Sequence, residues 1–232
     1  MPVTLRGSGS SSVISDVSTS FAVNVGSEVD RFLVAGLIWD DFDLVGPSLV
    51  SFQCGGVDMH LWSSYNSGTR HNEIYYLAES EMPTGLQTIE AVFSDIATAT
   101  IGACAFTGVD NVAPLTTAEQ ANAVGTSNPA TATISGVSRQ DGIFTLLQCV
   151  YSVPGSPPSV SATAGQLKIV GRTVEYDVNK NWVQEIARTI PPTSDAFTDT
   201  WSTSIPVTWR MQTVRIKHKQ YGASPSQISM GT

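Results

Sequence analysis

The sequence predicts an all-β chain: a single-domain antiparallel β-sandwich of jelly-roll-like form, with long loops and polar terminal arms. Three observations predict it. Charged residues make up only 14% of the 232 and hydrophobic residues 41%; Ser, Thr, Gly and Val abound, a strand-forming composition. Short alternating or apolar runs recur between turn signals. No Pro/Gly/Ser stretch is long enough to part independent domains, and sandwiches of this size form as one unit.

Taken in order, residues 1–12 (MPVTLRGSGSSS) read as a polar N-terminal arm, 13–221 as the sandwich and 222–232 as a polar C-terminal tail. SFAVNV (20–25) alternates, whereas RFLVAGLIW (31–39) is nearly continuous and so predicts a central strand. PSLVSFQCGGVDMHLWSSY (47–65) predicts a hairpin turning at Gly55-Gly56. Strands follow at RHNEIYYLAE, at LQTIEAVFS after Pro83-Thr84-Gly85, and at ATATIGACAFTGV, whose small residues suit tight packing.

TTAEQANAVGTSNPA (116–130) reads as a surface loop with at most one helical turn. TATISGV and GIFTLLQCVY resume strand character. SVPGSPPS (152–159) cannot be a central strand, because its prolines would break the ladder. GRTVEYDVNKNWVQEIARTI predicts a hairpin with Asn179-Lys180-Asn181 at the tip. IPVTWRMQTVRIKHKQY closes the domain. There the apolar positions shift phase between Met211 and Val214, which predicts a bulge near Gln212.

The net charge of −8 argues against nucleic-acid binding. All 20 acidic residues but only 8 of the 12 basic ones precede residue 205. Arg210, Arg215, Lys217 and Lys219 therefore form a basic end on an acidic body. They are candidates for docking on an acidic partner, or for keeping an edge strand soluble. No charged stretch followed by an apolar run opens the chain, and no run approaches a membrane span, so we expect a protein made in the cytoplasm, neither secreted nor membrane-bound. The odd, scattered Cys54, Cys104 and Cys149 read as reduced, buried small hydrophobes.

Short catalytic signatures are missing from the sequence. There is no Gly-x-Ser-x-Gly elbow, no His-Glu-x-x-His and no Gly-rich phosphate loop, so no catalytic residue is assigned and we expect no enzyme. His71 and Glu73 would share a strand face, but two ligands make no metal site. Asp40, Asp41 and Asp43 in WDDFD could supply oxygens to Ca²⁺, the one cofactor the sequence suggests; the plain alternative is a loop of local Asp turns. Sugar binding would need exposed aromatics, with Trp62, Tyr65, Tyr75, Tyr76, Trp182, Trp201 and Trp209 as candidates.

AFTGVDNVAPL (105–115) forms a corner. Gly108 permits a positive φ, Asp110 can cap a turn and Pro114 relaunches the chain. With FLVAGLIWDD, CGGVDMHLW, NEIYYL and PTGLQTIEAVFS before it, this corner completes an order of motifs over about residues 18–150. That order resembles a jelly-roll-like β-sandwich domain of phage virion structural proteins. The resemblance implies a capsid decoration (cement) protein in the virion, binding the major capsid protein and copies of itself, as a trimer by the symmetry of such shells. It would bridge neighbouring capsomers, with 1–12 and 222–232 as straps. The other readings are a tail- or fibre-associated protein and a carbohydrate-binding module.

Overall fold

A computed structural model describes residues 2–40, 46–66, 69–110, 120–151, 157–162, 167–175, 181–189 and 195–220. Among them the regular structure is all strand, and every pairing is antiparallel. The chain is an antiparallel β-sandwich, built from three sheets stacked face to face.

The first sheet is made of β1 (Thr4–Asn24), β2 (Phe32–Asp40), β3 (Leu49–Cys54), β4 (Val57–Asp58), β5 (His60–Ser64), β6 (Arg70–Ala78) and β7 (Leu86–Thr107), in the order β4-β3-β7-β2-β6-β5 with β1 on β7. β4 and β5 stand at opposite ends of that order yet are separated by Met59 alone, so the sheet folds over and nearly closes as a barrel. β1 and β7 pair along almost their whole lengths, with register shifts around Asp16. The ribbon doubles back there, bringing Gly7 and Gly9 of β1 against Asn24 and Phe21 of the same strand; a Cβ at Gly7 would lie 2.4 Å from the Asn24 carbonyl oxygen. The fold encloses an apolar core from Leu33, Leu37, Trp39, Phe52, Ile89 and Ile101.

The second sheet runs β12 (Leu167–Glu175), β13 (Asn181–Thr189), β10 (Gly142–Tyr151), β15 (Thr208–Ile216), β8 (Gln120–Gly125); the third runs β11 (Val160–Ala162), β14 (Asp195–Thr203), β9 (Ala130–Val137). The second sheet is covered on both faces. Phe144, Leu146, Val214 and Ile216 pack on Val34, Ile38, Ile74 and Phe106 of the first sheet. Gly36 allows this close approach, since a Cβ there would stand 2.1 Å from Leu146 Cδ2. The opposite face carries Leu147, Cys149, Trp209 and Met211 onto Trp201 and Ala132 of the third sheet. Each such large side chain contributes about 1.5–3 kcal/mol on leaving water.

Several expectations are corrected. Residues 4–12 are not an arm but half of β1, paired to β7 from Thr4↔Thr107 onward. Gln120–Gly125 is not loop but the edge strand β8; its Ala121 and Ala123 pack inward, and their small size hid the alternation. β15 carries no bulge at Gln212, because its registers to β10 and β8 are continuous. Its apolar residues change face since both faces are covered, one by each neighbouring sheet. The 47–65 hairpin is only two residue pairs long, and β5 then crosses to β6. The 171–190 hairpin forms as β12 and β13. The tail 222–232 lies outside the described residues.

Candidate functional site

The Gly-Val-Asp corner and the basic end meet. Gly108 has φ +74°, the left-handed turn its sequence implied. Val109 then forms an isolated antiparallel bridge with His218. The Lys219 amide donates to the Gly108 carbonyl at 2.8 Å and the Asp110 amide to the Lys217 carbonyl at 3.0 Å. The corner thus fastens the end of β7 in the first sheet to the end of β15 in the second. Asp30 joins from the loop before β2: its carbonyl accepts the Val109 amide at 3.1 Å, and its carboxylate accepts from Lys219 Nζ.

Beneath this junction lies Asp141, fully buried in the turn between β9 and β10. One carboxylate oxygen accepts from the His218 amide at 2.9 Å and contacts His218 Nδ1 at 2.7 Å. The other accepts from Arg215 Nε and from the Ser138 amide, both at 2.7 Å. Burial works to raise the Asp141 pKa. The His218 ring, the His218 and Ser138 amides and the Arg215 charge outweigh it and hold the carboxyl below its usual range. An ionised carboxylate only accepts, so the contact assigns the proton to Nδ1 and leaves Nε2 as the second polar atom of the ring.

Over these residues opens a cavity of about 240 Å³ lined by Asp110, Arg215, Lys217, His218 and Gln220. Four sequence-selected residues converge here or just beside it: Gly108, Asp110, Arg215 and Lys217. Lys219 is committed to Asp30 in a part-buried ion pair. Arg210 lies elsewhere, half-buried on the β15 face towards the first sheet; burial, and next the charge of Arg70, lower its pKa. Pro114 lies outside the described residues. Sequence reading missed Asp141 and His218. His218 carries no motif of its own, and nothing in SRQDG marks Asp141 as more than a turn residue.

The remaining candidates separate. Asp40 ends β2 fully buried, with Oδ2 3.4 Å from Arg70 Nε, so it is an ion-pair member rather than a free loop oxygen. Asp41 and Asp43 lie outside the described residues. His71 and Glu73 do share a face, 3.9 Å apart. Glu73 is occupied by the Tyr75 hydroxyl at 2.8 Å and by Trp39 Nε1 at 3.4 Å, while His71 stacks on Trp39 at 3.8 Å. Among the described residues no group of three His, Cys, Asp or Glu side chains is placed to hold a metal ion. Trp62 and Tyr76 meet edge to face around Phe32, so they form an aromatic cluster rather than a coplanar sugar platform. Trp201 and Trp209 are core, and Tyr75 is buried.

These features define an all-β sandwich with a cationic cavity where two of its sheets are joined. No family model, curated protein or solved structure matches the chain.

Proposed function

We propose that this chain is a phage virion structural protein that decorates the assembled capsid and stabilises it as a homo-oligomer, contacting the major capsid protein. One observation carries the reading. The Gly-Val-Asp corner, on which the sequence resemblance rests, is bonded directly to the basic end of β15. The marker of the domain and the charge suited to an acidic partner thus form one braced corner on an otherwise acidic molecule.

The placement of β1 alters how such a protein would grip a shell. Residues 4–12 are committed to β7 and cannot serve as a strap. Gripping then falls to the cationic corner, and the tail 222–232 remains as a strap candidate by its sequence alone.

The test is co-sedimentation of the purified protein with mature and empty phage heads, with its solution mass measured alongside. Saturable binding by a stable oligomer is expected, weakened by Lys217→Gln and by deletion of 222–232. A monomer that ignores heads would overturn decoration in favour of a tail or glycan-binding role. The glycan role then requires a signal on immobilised glycans that Trp62→Ala removes.

A further inference from the structure

We infer that the cavity between the Gly108–Asp110 corner and the end of β15 is an oxyanion socket, taking a carboxylate or phosphate group on Arg215, Lys217 and Gln220. The inference concerns the isolated protein and stands whether or not it decorates a shell.

The size of the cavity suits this ligand. About 240 Å³ is room for a small oxyanion with some of its water. The wall supplies donors of the required kind: a guanidinium, an ammonium and the Gln220 amide.

The arrangement behind the wall strengthens the case. Asp141 does not line the cavity; it is wholly buried and holds Arg215 by Nε and His218 by Nδ1. The terminal nitrogens of Arg215 and Nε2 of His218 are left as the outer polar atoms of two side chains fixed in place. Donors fixed before binding lose little entropy when a ligand arrives. Gly136, with φ +68°, lies beside the Arg215 head: a Cβ there would stand 3.4 Å from Nη1.

Charge on the wall is mixed. Arg215 and Lys217 favour an anion and Asp110 opposes it, while Lys219 and Asp30 neutralise each other.

The test is a ¹H–¹⁵N NMR titration of the full chain with sulfate, and separately with acetate, at a single pH of about 7, where both are ionised. Saturable shifts confined to Asp110, residues 136–142 and 215–220 are expected. Lys217→Gln should weaken sulfate binding about tenfold, the loss of one charge-assisted hydrogen bond. It leaves every Asp141 contact in place, so its result does not depend on disturbing that network. Either order of sulfate and acetate affinity supports the socket and names the source of its ligand. Shifts spread over all surface Lys and Arg residues, or affinity unchanged in Lys217→Gln, would each overturn it.

Discussion

Asp141 and Asp199 are both fully buried carboxylates, and the two regions around them solve the same problem differently. At the corner, Asp141 receives four N–H donors, among them an arginine and a histidine, so its charge is matched as well as solvated. Between the second and third sheets, Asp199 on β14 faces strands that carry threonines. The Thr145 hydroxyl donates to it, and Thr213 Oγ1 lies 3.5 Å away. Ile134, Phe197 and Trp201 surround that interface. The corner therefore spends its polar groups on a junction open to a cavity, whereas the inter-sheet acid is held inside a packed layer. The first arrangement suits recognition and the second suits registry between sheets.

The sharpest way to break this contrast is Asp141→Ala. It leaves Arg215 and His218 without their anion, and urea unfolding should show a loss of about 3–5 kcal/mol. Asp199→Ala strips hydroxyl partners and opens a small void, so the expected loss is about 1–3 kcal/mol. If the second variant cost more than the first, the corner would not be the better-matched site.

Acid should sharpen the same contrast. The folded-state pKa of Asp141 is depressed, so its contribution is present above the ordinary carboxylate titration near pH 3.9 and is lost as the pH falls through the lower, folded value. The unfolded chain takes up that proton first, and acid favours unfolding. Melting temperatures measured from about pH 5 down to about pH 2 should fall more steeply in the parent than in Asp141→Asn.

Two smaller effects follow. Lys217→Gln leaves the buried Asp141 network in place and should shift stability by no more than about 0.5 kcal/mol. Cys54, Cys104 and Cys149 are buried and not joined in disulfides. Burial pushes the Cys54 thiol up to about 11, so alkylation read by mass should leave it unmodified until the protein unfolds.

How legible this was in the sequence depends on what each residue packs against. β2 was readable because FLVAGLIW is apolar on both faces, and both faces are covered. The Gly55-Gly56 turn and the β12–β13 hairpin were readable from local turn chemistry. β1 was not, because RGSGSSS lacks apolar alternation: its early residues pair with β7, and glycines at 7 and 9 are required by a strand that folds against itself. β15 misled for a related reason. A strand covered on both faces may put Gln212 in the interior, where its side chain bonds the Ser63 hydroxyl at 2.9 Å, and no period survives that. At the candidate site, the basic residues and the corner were each visible, but their meeting was not. It depends on the bridge between Val109 and His218, which no local pattern encodes.

The doubled ribbon of β1 and β7 has a consequence for how the protein is made. Thr4 pairs with Thr107, and Asn24 with Leu86. A ribosome must therefore release more than a hundred residues before the start of the first strand has its partner, and until then that polar, glycine-rich start stays solvated at little risk of aggregation. β2, by contrast, emerges early and wholly apolar, waiting for β6 and β7. Such long-range pairing predicts slow folding. It also makes the apolar β2 the segment that a chaperone would need to shield during synthesis.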